Sequence, residues 1–290
     1  MNDNDKAYDV YQTWISLMSD ILKYGTMGRP RRLQTKELIG NQIHIDVPYS
    51  NIIVDPQRKI NYRLMVANWL TSLIGINDDV LRNYSSTVIK YETDKSGNTF
   101  PSWGPMLKPQ WPYILKALSE DLETRRAVMI LGKVEPLSET DTIKFALPCA
   151  TSLQFLARAI SPDHHLLHTI IYMRASDVWL GLPYDIYNFS MLANFLVASL
   201  NRVYHGHIRL GSITVNFGSS HLYEEHWKSA ESIVNAPMGE ALKSPQIPSW
   251  VDTPFGVFNS TIIGWTPYQL ILNAKNNIEA LEILKAMEPR

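Results

Sequence analysis

Several features that would assign a chain to a class at once are scarce in this sequence. Its 290 residues include one cysteine, Cys149, so no intramolecular disulfide is possible. Lysine plus arginine number 27 and aspartate plus glutamate number 28, which leaves a net charge of -1. Because a protein that binds nucleic acid through its phosphates needs a basic excess, this balance argues against a nucleic-acid partner. A small ligand is the better expectation.

Long apolar segments are also missing from the sequence. The most continuous one, Met191–Leu200, is interrupted by Asn194 and has about half of the ~20 residues that a transmembrane helix needs. The amino terminus is acidic and polar, without the basic and apolar regions of a secretory signal. We therefore expect a cytoplasmic protein with no membrane partner.

The composition is that of an ordinary globular protein, with 45% hydrophobic and 19% charged residues. Helical and strand-like periodicities alternate without a linker or a repeat, which predicts a single α/β or α+β domain over residues 1–290. We predict an irregular region over residues 91–111. Helices are predicted over 10–22, 64–74, 113–121, 184–200 and 268–287, and strands over 43–45, 127–131, 145–157, 166–173 and 208–217.

Cys149 is the first candidate for chemistry. A lone cysteine is usually a small buried hydrophobic residue, but Pro148 precedes this one and the polar residues Thr151, Ser152 and Gln154 follow it. A reactive thiolate needs cationic or hydrogen-bonding neighbours. The chain offers arginine clusters that could supply them, although each arginine alone could be an ordinary surface charge: Arg29, Arg31 and Arg32 in one loop, the Arg125-Arg126 pair, and Arg174 after an apolar strand.

Acidic and histidine residues form two further candidate groups. Asp177 and Asp185 flank a glycine-proline turn, and Asp185 leads into an apolar helix, so it could simply be the helix N-cap. His221 and Tyr223 are two residues apart and would face the same way only in an extended segment. His221 and His226 are five apart, which does not match a helical metal-binding pair, and we predict no metal site.

Four blocks of these residues resemble thymidylate synthase and its relatives, the pyrimidine nucleotide hydroxymethylases. The match covers roughly residues 28–226, and the segment 211–223 is most similar to phage deoxycytidylate hydroxymethylases. The resemblance implies the thymidylate synthase fold, a mixed β-sheet packed with helices that dimerises through the sheet. The blocks are Pro148-Cys149 with Gln154-Phe155, Arg125-Arg126, Arg174-x-x-Asp177-x-x-Leu180-Gly181-x-Pro183, and Gly218-x-x-His221-x-Tyr223.

The resemblance also implies roles at the nucleotide site. Cys149 would attack C6 of the pyrimidine, and Arg174 would bind the phosphate of a nucleotide monophosphate together with Arg29 or Arg31. In this family the active site is shared across a homodimer, so Arg125 and Arg126 would reach the phosphate in the neighbouring subunit. The remaining nucleotide contacts would come from Gln154, Ser176, His221 and Tyr223, of which His221 and Tyr223 would bind the sugar hydroxyl.

The one-carbon donor that the resemblance implies is 5,10-methylenetetrahydrofolate, and no metal is implied. The pterin ring would be contacted by Asp177, with Gly181 and Trp103 completing the folate site. After addition of the thiol, C5 would attack the methylene carbon of the folate. Loss of tetrahydrofolate would leave an exocyclic methylene group on the base, which either water or hydride could then complete.

Departures from the family pattern refine this interpretation. Asp185 replaces an asparagine that pairs with uracil in the synthases, and a carboxyl group suits the N4 amino group and N3 of cytosine instead. Asn68 falls where the family has its catalytic glutamate, and Leu107 where it has a tyrosine. Ala150 and Ala175 replace a histidine and a phosphate-binding serine.

We therefore predict a deoxycytidylate 5-hydroxymethylase that converts dCMP, 5,10-methylenetetrahydrofolate and water into 5-hydroxymethyl-dCMP and tetrahydrofolate. Cys149, Asp185 and Asn68 are its predicted catalytic residues. The alternatives are a dCMP methyltransferase, a CMP or dUMP hydroxymethylase or synthase, and a non-catalytic nucleotide-binding relative.

Overall fold

The computed structural model describes residues 9–46, 48–74, 81, 83–84, 103–131, 148–204, 207–236 and 270–286. The helices are α1 (Val10–Tyr24), α2 (Tyr62–Ile74), α3 (Trp103–Leu107), α4 (Trp111–Glu120), α5 (Leu182–Tyr204), α6 (Glu224–Val234) and α7 (Asn277–Ala286). The strands are β1 (Thr26–Gly28), β2 (Thr35–Ile39), β3 (Gln42–Ile45), β4 (Val128–Ile130), β5 (Ala150–Ser161), β6 (His164–Met173), β7 (Ser176–Asp177), β8 (Ile208–Phe217) and β9 (Ser219–Tyr223).

The strands form two sheets that share a continuous chain. The larger sheet has the order β3-β8-β6-β5-β4, in which only β6 and β8 are parallel. The smaller sheet has the order β1-β2-β9-β7, and β7 runs parallel to β9. Gly218 alone separates β8 from β9, so the larger sheet passes directly into the smaller one. This arrangement confirms the predicted mixed-sheet α/β fold.

Helix α5 packs on the inner face of the larger sheet. Alternate residues of β5 and β6 are fully buried, as the period of two in a half-covered sheet requires. Helix α5 is buried on almost every side because α2, α4, β6 and β8 all contact it. This packing fixes the amino terminus of α5, and with it the position of the residues that directly precede Leu182.

The outer face of the larger sheet carries apolar side chains without cover from the described residues. Ile130 pairs with Ser152, and Ser152 with Tyr172, so these three lie in one row across the sheet. Ile130 and Tyr172 are each 45% exposed. The row continues through Asn216 to Gln42, so two exposed apolar side chains lie among polar ones on this open face.

Three predicted boundaries need correction. Residues 91–111 are predicted to be irregular, but the described part of this range, from residue 103, contains α3 and a 3-10 turn over Lys108–Gln110. The helix forms because Leu107 is buried in the core and the Trp103 ring stacks on Phe189. Strand β5 begins at Ala150 and ends at Ser161, and residues 145–147 lie outside the described residues. The carboxy-terminal helix is continuous only over Asn277–Ala286.

Gly218 allows a close approach between two backbone segments. Its N–H donates to the carbonyl of Met173 at 2.8 Å. A Cβ added at this position would lie 2.6 Å from the carbonyl oxygen of Arg174. Since that neighbour is backbone and cannot rotate away, only glycine fits at the junction of the two sheets.

We expect Gly218→Ala to lower the free energy of unfolding by about 1–3 kcal/mol, the usual cost of overpacking. Gly28→Ala is the matched control, because its Cβ would meet Oε1 of Glu37 at 3.0 Å, and the end of a flexible side chain can move aside where a backbone cannot. Urea unfolding of both variants tests this expectation. A loss at Gly218 no larger than the loss at Gly28 would contradict it.

Candidate functional site

A turn over Asp177–Gly181 connects β7 to α5 and forms the centre of the candidate site. The Oδ1 atom of Asp177 accepts hydrogen bonds from the backbone N–H groups of Trp179 and Leu180, both at 2.9 Å. The N–H of Gly181 donates to the carbonyl of Asp177 at 3.0 Å. One carboxylate oxygen is thus used to fold the turn, as aspartate commonly does.

Neighbouring elements satisfy the other polar groups of this turn. The N–H of Val178 donates to the carbonyl of His221 in β9 at 2.9 Å. The indole Nε1–H of Trp14 in α1 donates to the carbonyl of Val178 at 2.7 Å. The turn is therefore tied to both the amino-terminal helix and the smaller sheet.

Arg58 completes the hydrogen bonding of the turn from a third direction. Its Nε donates to the carbonyl of Trp179 at 2.7 Å, and its Nη2 donates to the carbonyl of Leu180 at 3.3 Å. Only 8% of the residue is exposed. No local sequence signal points to Arg58, because the carbonyl that it binds lies 121 residues away along the chain.

The environment of Asp177 changes its ionisation. Burial raises the pKa of its carboxyl to about 6, while the two backbone N–H groups and the positive charge of Arg58 lower the pKa and the charge of Glu225 raises it. Within the described residues, its second oxygen, Oδ2, makes no hydrogen bond that stabilises the turn. An acceptor oxygen thus remains available to a ligand.

Asp185 lies in the first turn of α5. The helix begins at Leu182, so the interpretation of Asp185 as its N-cap is wrong. Its backbone N–H donates to the carbonyl of Gly181 at 3.1 Å. A Cβ on Gly181 would lie 3.6 Å from Oδ2 of Asp185, which shows that the carboxylate folds back over the glycine. The positive end of the helix dipole favours a negative group there.

Asn188 lies one turn further along α5, on the same side of the helix as Asp185. It has no exposed surface. Neither its Oδ1 nor its Nδ2 has a hydrogen-bond partner in the part of the chain that is described. An unsatisfied buried polar group costs about 1–3 kcal/mol, so this amide calls for an ordered water or a partner outside the described residues. An asparagine three residues after Asp185 in an apolar helix was the available sequence signal.

The Cys149 thiol is exposed, just before β5. The backbone N–H of Arg174 donates to the carbonyl of Cys149 at 2.8 Å, and the Nε of Arg174 donates to the carbonyl of Pro148 at 3.1 Å. The fold thereby places a guanidinium group against the segment that carries the thiol.

The Arg125-Arg126 pair follows α4 at the edge of the larger sheet. Both arginines are exposed, and they line an open groove of about 680 Å³. Their backbone is fixed by side chains: Gln154 donates to the carbonyl of Arg125 at 3.0 Å, and Tyr113 donates to the carbonyl of Arg126 at 2.8 Å. The described structure thus uses Gln154 to hold this pair in place.

His221 and Tyr223 lie on β9, and the expectation that they share a face is confirmed. Their rings meet edge to face with centroids 5.2 Å apart. His221 pairs in register with Asp177 of β7, which brings the histidine to the turn. Ser176 pairs with Ser220, and its buried hydroxyl has no hydrogen-bond partner among the described residues.

The remaining predicted site residues are distributed over three elements. Arg29 is exposed and precedes a 3-10 turn over Pro30–Arg32, while the side chain of Arg31 lies outside the described residues. Asn68 is half-buried on α2. The half-buried ring of Trp103 on α3 stacks on Phe189 of α5 at 5.0 Å between centroids.

Within the described ranges, no group of three or more His, Cys, Asp or Glu residues is placed to hold a metal ion. None of the helices in that part of the chain combines the length and the hydropathy that a membrane crossing requires.

Comparison with known proteins gives a consistent result. The family model for thymidylate synthase matches residues 12–247 of this chain. A thymidylate synthase of Buchnera aphidicola subsp. Baizongia pistaciae (strain Bp) is 24% identical over 242 residues, which cover 76% of this chain and 82% of that protein. A thymidylate synthase of Buchnera aphidicola subsp. Schizaphis graminum (strain Sg) is 27% identical over 213 residues, or 64% of this chain and 73% of that protein.

Asp177→Asn tests the ionisation of the turn. The amide oxygen can accept the same two N–H groups, but it carries no charge. Because burial raises the pKa of Asp177 to about 6, the native protein loses stability as the pH rises from about 4 through 6. The variant lacks this loss, so we expect it to gain about 1–3 kcal/mol relative to the native chain between pH 4.5 and pH 7.5.

Urea unfolding at the two pH values measures this difference, and other groups that titrate cancel between the two proteins. Asp177→Ala is the control, since it removes the acceptor and should be less stable at both pH values. A variant Asp177→Asn that loses stability relative to the native chain as the pH rises would disprove the interpretation.

Proposed function

The chain belongs to the thymidylate synthase family, and from that premise we propose that it hydroxymethylates a cytidine nucleotide at C5. The reactants are dCMP, 5,10-methylenetetrahydrofolate and water, and the products are 5-hydroxymethyl-dCMP and tetrahydrofolate. The observation that carries the proposal is the Asp185 carboxylate, held at the start of α5 against Gly181. A carboxyl group in the base-reading position of this family favours cytosine over uracil.

Cys149 provides the nucleophile in this proposal. Its thiol is exposed, and Arg174 is attached to the same segment, so the thiolate form has a cationic neighbour. Addition of the sulfur to C6 of the pyrimidine places negative charge on C5, which becomes the carbon that accepts the one-carbon unit. Arg174 has a guanidinium group that suits the nucleotide phosphate as well.

Asp185 provides the polar group for the edge of the base. Cytosine presents the N4 amino donor and the N3 acceptor. A carboxyl group accepts from N4 and, when a proton is shared with N3, completes the second hydrogen bond. The position of Asp185 in the first turn of α5, beside Gly181, supports this role.

The phosphate and the sugar would be bound from several sides. Arg174 and either Arg29 or Arg31 would bind the phosphate of their own site, and His221 with Tyr223 would bind the sugar hydroxyl. We further propose a homodimer that buries the outer face of the larger sheet, on which Ile130 and Tyr172 are exposed. In that dimer the exposed pair Arg125 and Arg126 reaches the phosphate in the neighbouring subunit.

The residues at the Asp177–Gly181 turn fit a pterin ring. Asp177 has an acceptor oxygen that the turn does not use, and the ring donors of a pterin need such an acceptor. Gly181 leaves space beside it, and Trp103 adds an aromatic surface held by Phe189. When bound, the folate supplies the one-carbon unit.

Two departures from the family favour water over hydride at the last step. Leu107 is fully buried and apolar where the family has a tyrosine. Asn68 is half-buried and can orient a water molecule by hydrogen bonding, although an amide cannot act as a base. An ordered water is what hydration of the exocyclic methylene group requires, whereas hydride transfer needs water to be excluded.

Product analysis tests the proposed function. The protein is incubated with 5,10-methylenetetrahydrofolate and dCMP, CMP or dUMP, and each nucleotide product is weighed by mass spectrometry while dihydrofolate is followed by absorbance. We expect the hydroxymethyl product from dCMP, no dihydrofolate, and no turnover by Cys149→Ser. A product heavier only by a methyl group, formed in step with dihydrofolate, would make the chain a methyltransferase. Full turnover by Cys149→Ser would reject the covalent adduct.

Asp185→Asn is expected to shift the preference from dCMP towards dUMP by roughly ten- to a hundredfold in kcat/KM. The amide can accept from N3–H of uracil and donate to O4, while cytosine loses its matched partner. Glu224→Gln is the matched control, because Glu224 is an exposed acid in the first turn of α6. The ratio of kcat/KM for the two nucleotides measures the effect, and an unchanged ratio in Asp185→Asn would remove Asp185 from base recognition.

A further inference from the structure

We propose that Arg58 is a positioning residue that shapes the Asp177–Gly181 turn and keeps the Asp177 carboxylate ready for its ligand. The identity of that ligand as a folate rests on the proposed function above. The role of Arg58 in the turn does not, because it follows from contacts within the chain.

Arg58 forms a clamp, by which we mean that one guanidinium group binds two consecutive carbonyl groups. Its Nε and Nη2 donate to the carbonyls of Trp179 and Leu180, at 2.7 and 3.3 Å. The guanidinium carbon also lies 5.4 Å from the centroid of the Trp179 ring and 6.0 Å from that of Tyr184. A planar group with donors on adjacent nitrogens can make this pair of contacts, and an ammonium group cannot make both in the same way.

The backbone around Arg58 is itself held in place. Oδ1 of Asp55 accepts hydrogen bonds from the N–H groups of Gln57 and Arg58, at 2.8 and 3.2 Å. Oδ2 of the same carboxylate accepts from the hydroxyl of Tyr11 at 2.9 Å. Lys59, the next residue, has a positive φ of 48°. The Asp55 carboxylate thus fixes the backbone that carries Arg58, and the arginine side chain is buried.

The charge of Arg58 is placed where it acts on Asp177. Among the described residues, no ion pair engages the guanidinium group, yet its positive charge lowers the pKa of Asp177. Among the described residues, the other charged or titratable groups at this corner include Glu225, which raises that pKa, and His226, His221, Tyr184 and Tyr62. The clamp therefore has a geometric effect on the turn and an electrostatic effect on its carboxylate.

Two variants separate these effects. Arg58→Gln keeps a donor and removes the charge, whereas Arg58→Lys keeps the charge and removes the two-carbonyl geometry. Arg202→Gln is the matched control, since Arg202 is an exposed arginine near the end of α5. The first readout is the titration of Asp177 in the ligand-free protein, followed by NMR of ¹³C-labelled aspartate and assigned with Asp177→Asn. The second is the affinity for tetrahydrofolate, with saturating dCMP present.

We expect the titration midpoint of Asp177 to rise by about one pH unit in Arg58→Gln and by much less in Arg58→Lys. Tetrahydrofolate should bind about tenfold more weakly to both variants at pH 7, and the Arg202→Gln control should match the native protein in both readouts. An unmoved Asp177 midpoint together with unchanged tetrahydrofolate affinity in Arg58→Gln would overturn the proposal, even if the variant were less stable. If the native protein binds no tetrahydrofolate while Arg58→Gln shows the expected Asp177 shift, the folate site is rejected and the role of Arg58 is supported.

Discussion

The site depends on one constraint, which is that the backbone of the Asp177–Gly181 turn must find hydrogen-bond partners although Val178 and Trp179 at its centre are buried. A buried backbone donor or acceptor without a partner costs as much as a lost hydrogen bond. Here the partners come from distant parts of the chain: an indole of α1, a guanidinium at Arg58, a carbonyl of β9, and the side chain of Asp177 itself. The turn therefore reaches its structure only when all these elements are in place.

Helix α5 connects the position of this turn to that of Asp185, the residue that would bind the base. It begins at Leu182, directly after the turn, and it is buried on almost every side, so it cannot slide or rotate without breaking the core. Asp185 and Asn188 lie within its first two turns. Their placement is fixed by packing along 23 residues, and not by the local loop alone.

The sequence was most informative where one short-range rule decides the structure. Alternation predicted β8 to the residue and predicted that His221 and Tyr223 share a face. It could not find short strands such as β7, whose two residues are ordered by a neighbour that comes 44 residues later. The role of Arg58 could not be predicted for the same reason, because the two carbonyl groups that it binds lie far along the chain. The blocks that carry the family resemblance group residues from distant parts of the chain, which periodicity cannot do.

The two aspartates of the site, Asp177 and Asp185, lie in environments that act differently on their carboxyl groups. In the proposed reaction Asp177 accepts from the pterin while burial favours its neutral form, and the nearby positive charge of Arg58 offsets part of that penalty. In the same proposal Asp185 shares a proton with N3 of a cytosine, and it lies at the amino terminus of α5, where the helix dipole favours a negative group. A proton held on the base is compatible with a negative group at that position. A cytosine protonated at N3 withdraws electrons from C6, which is the carbon that the Cys149 thiolate attacks. In the proposed reaction the same helix terminus would both select cytosine and activate it.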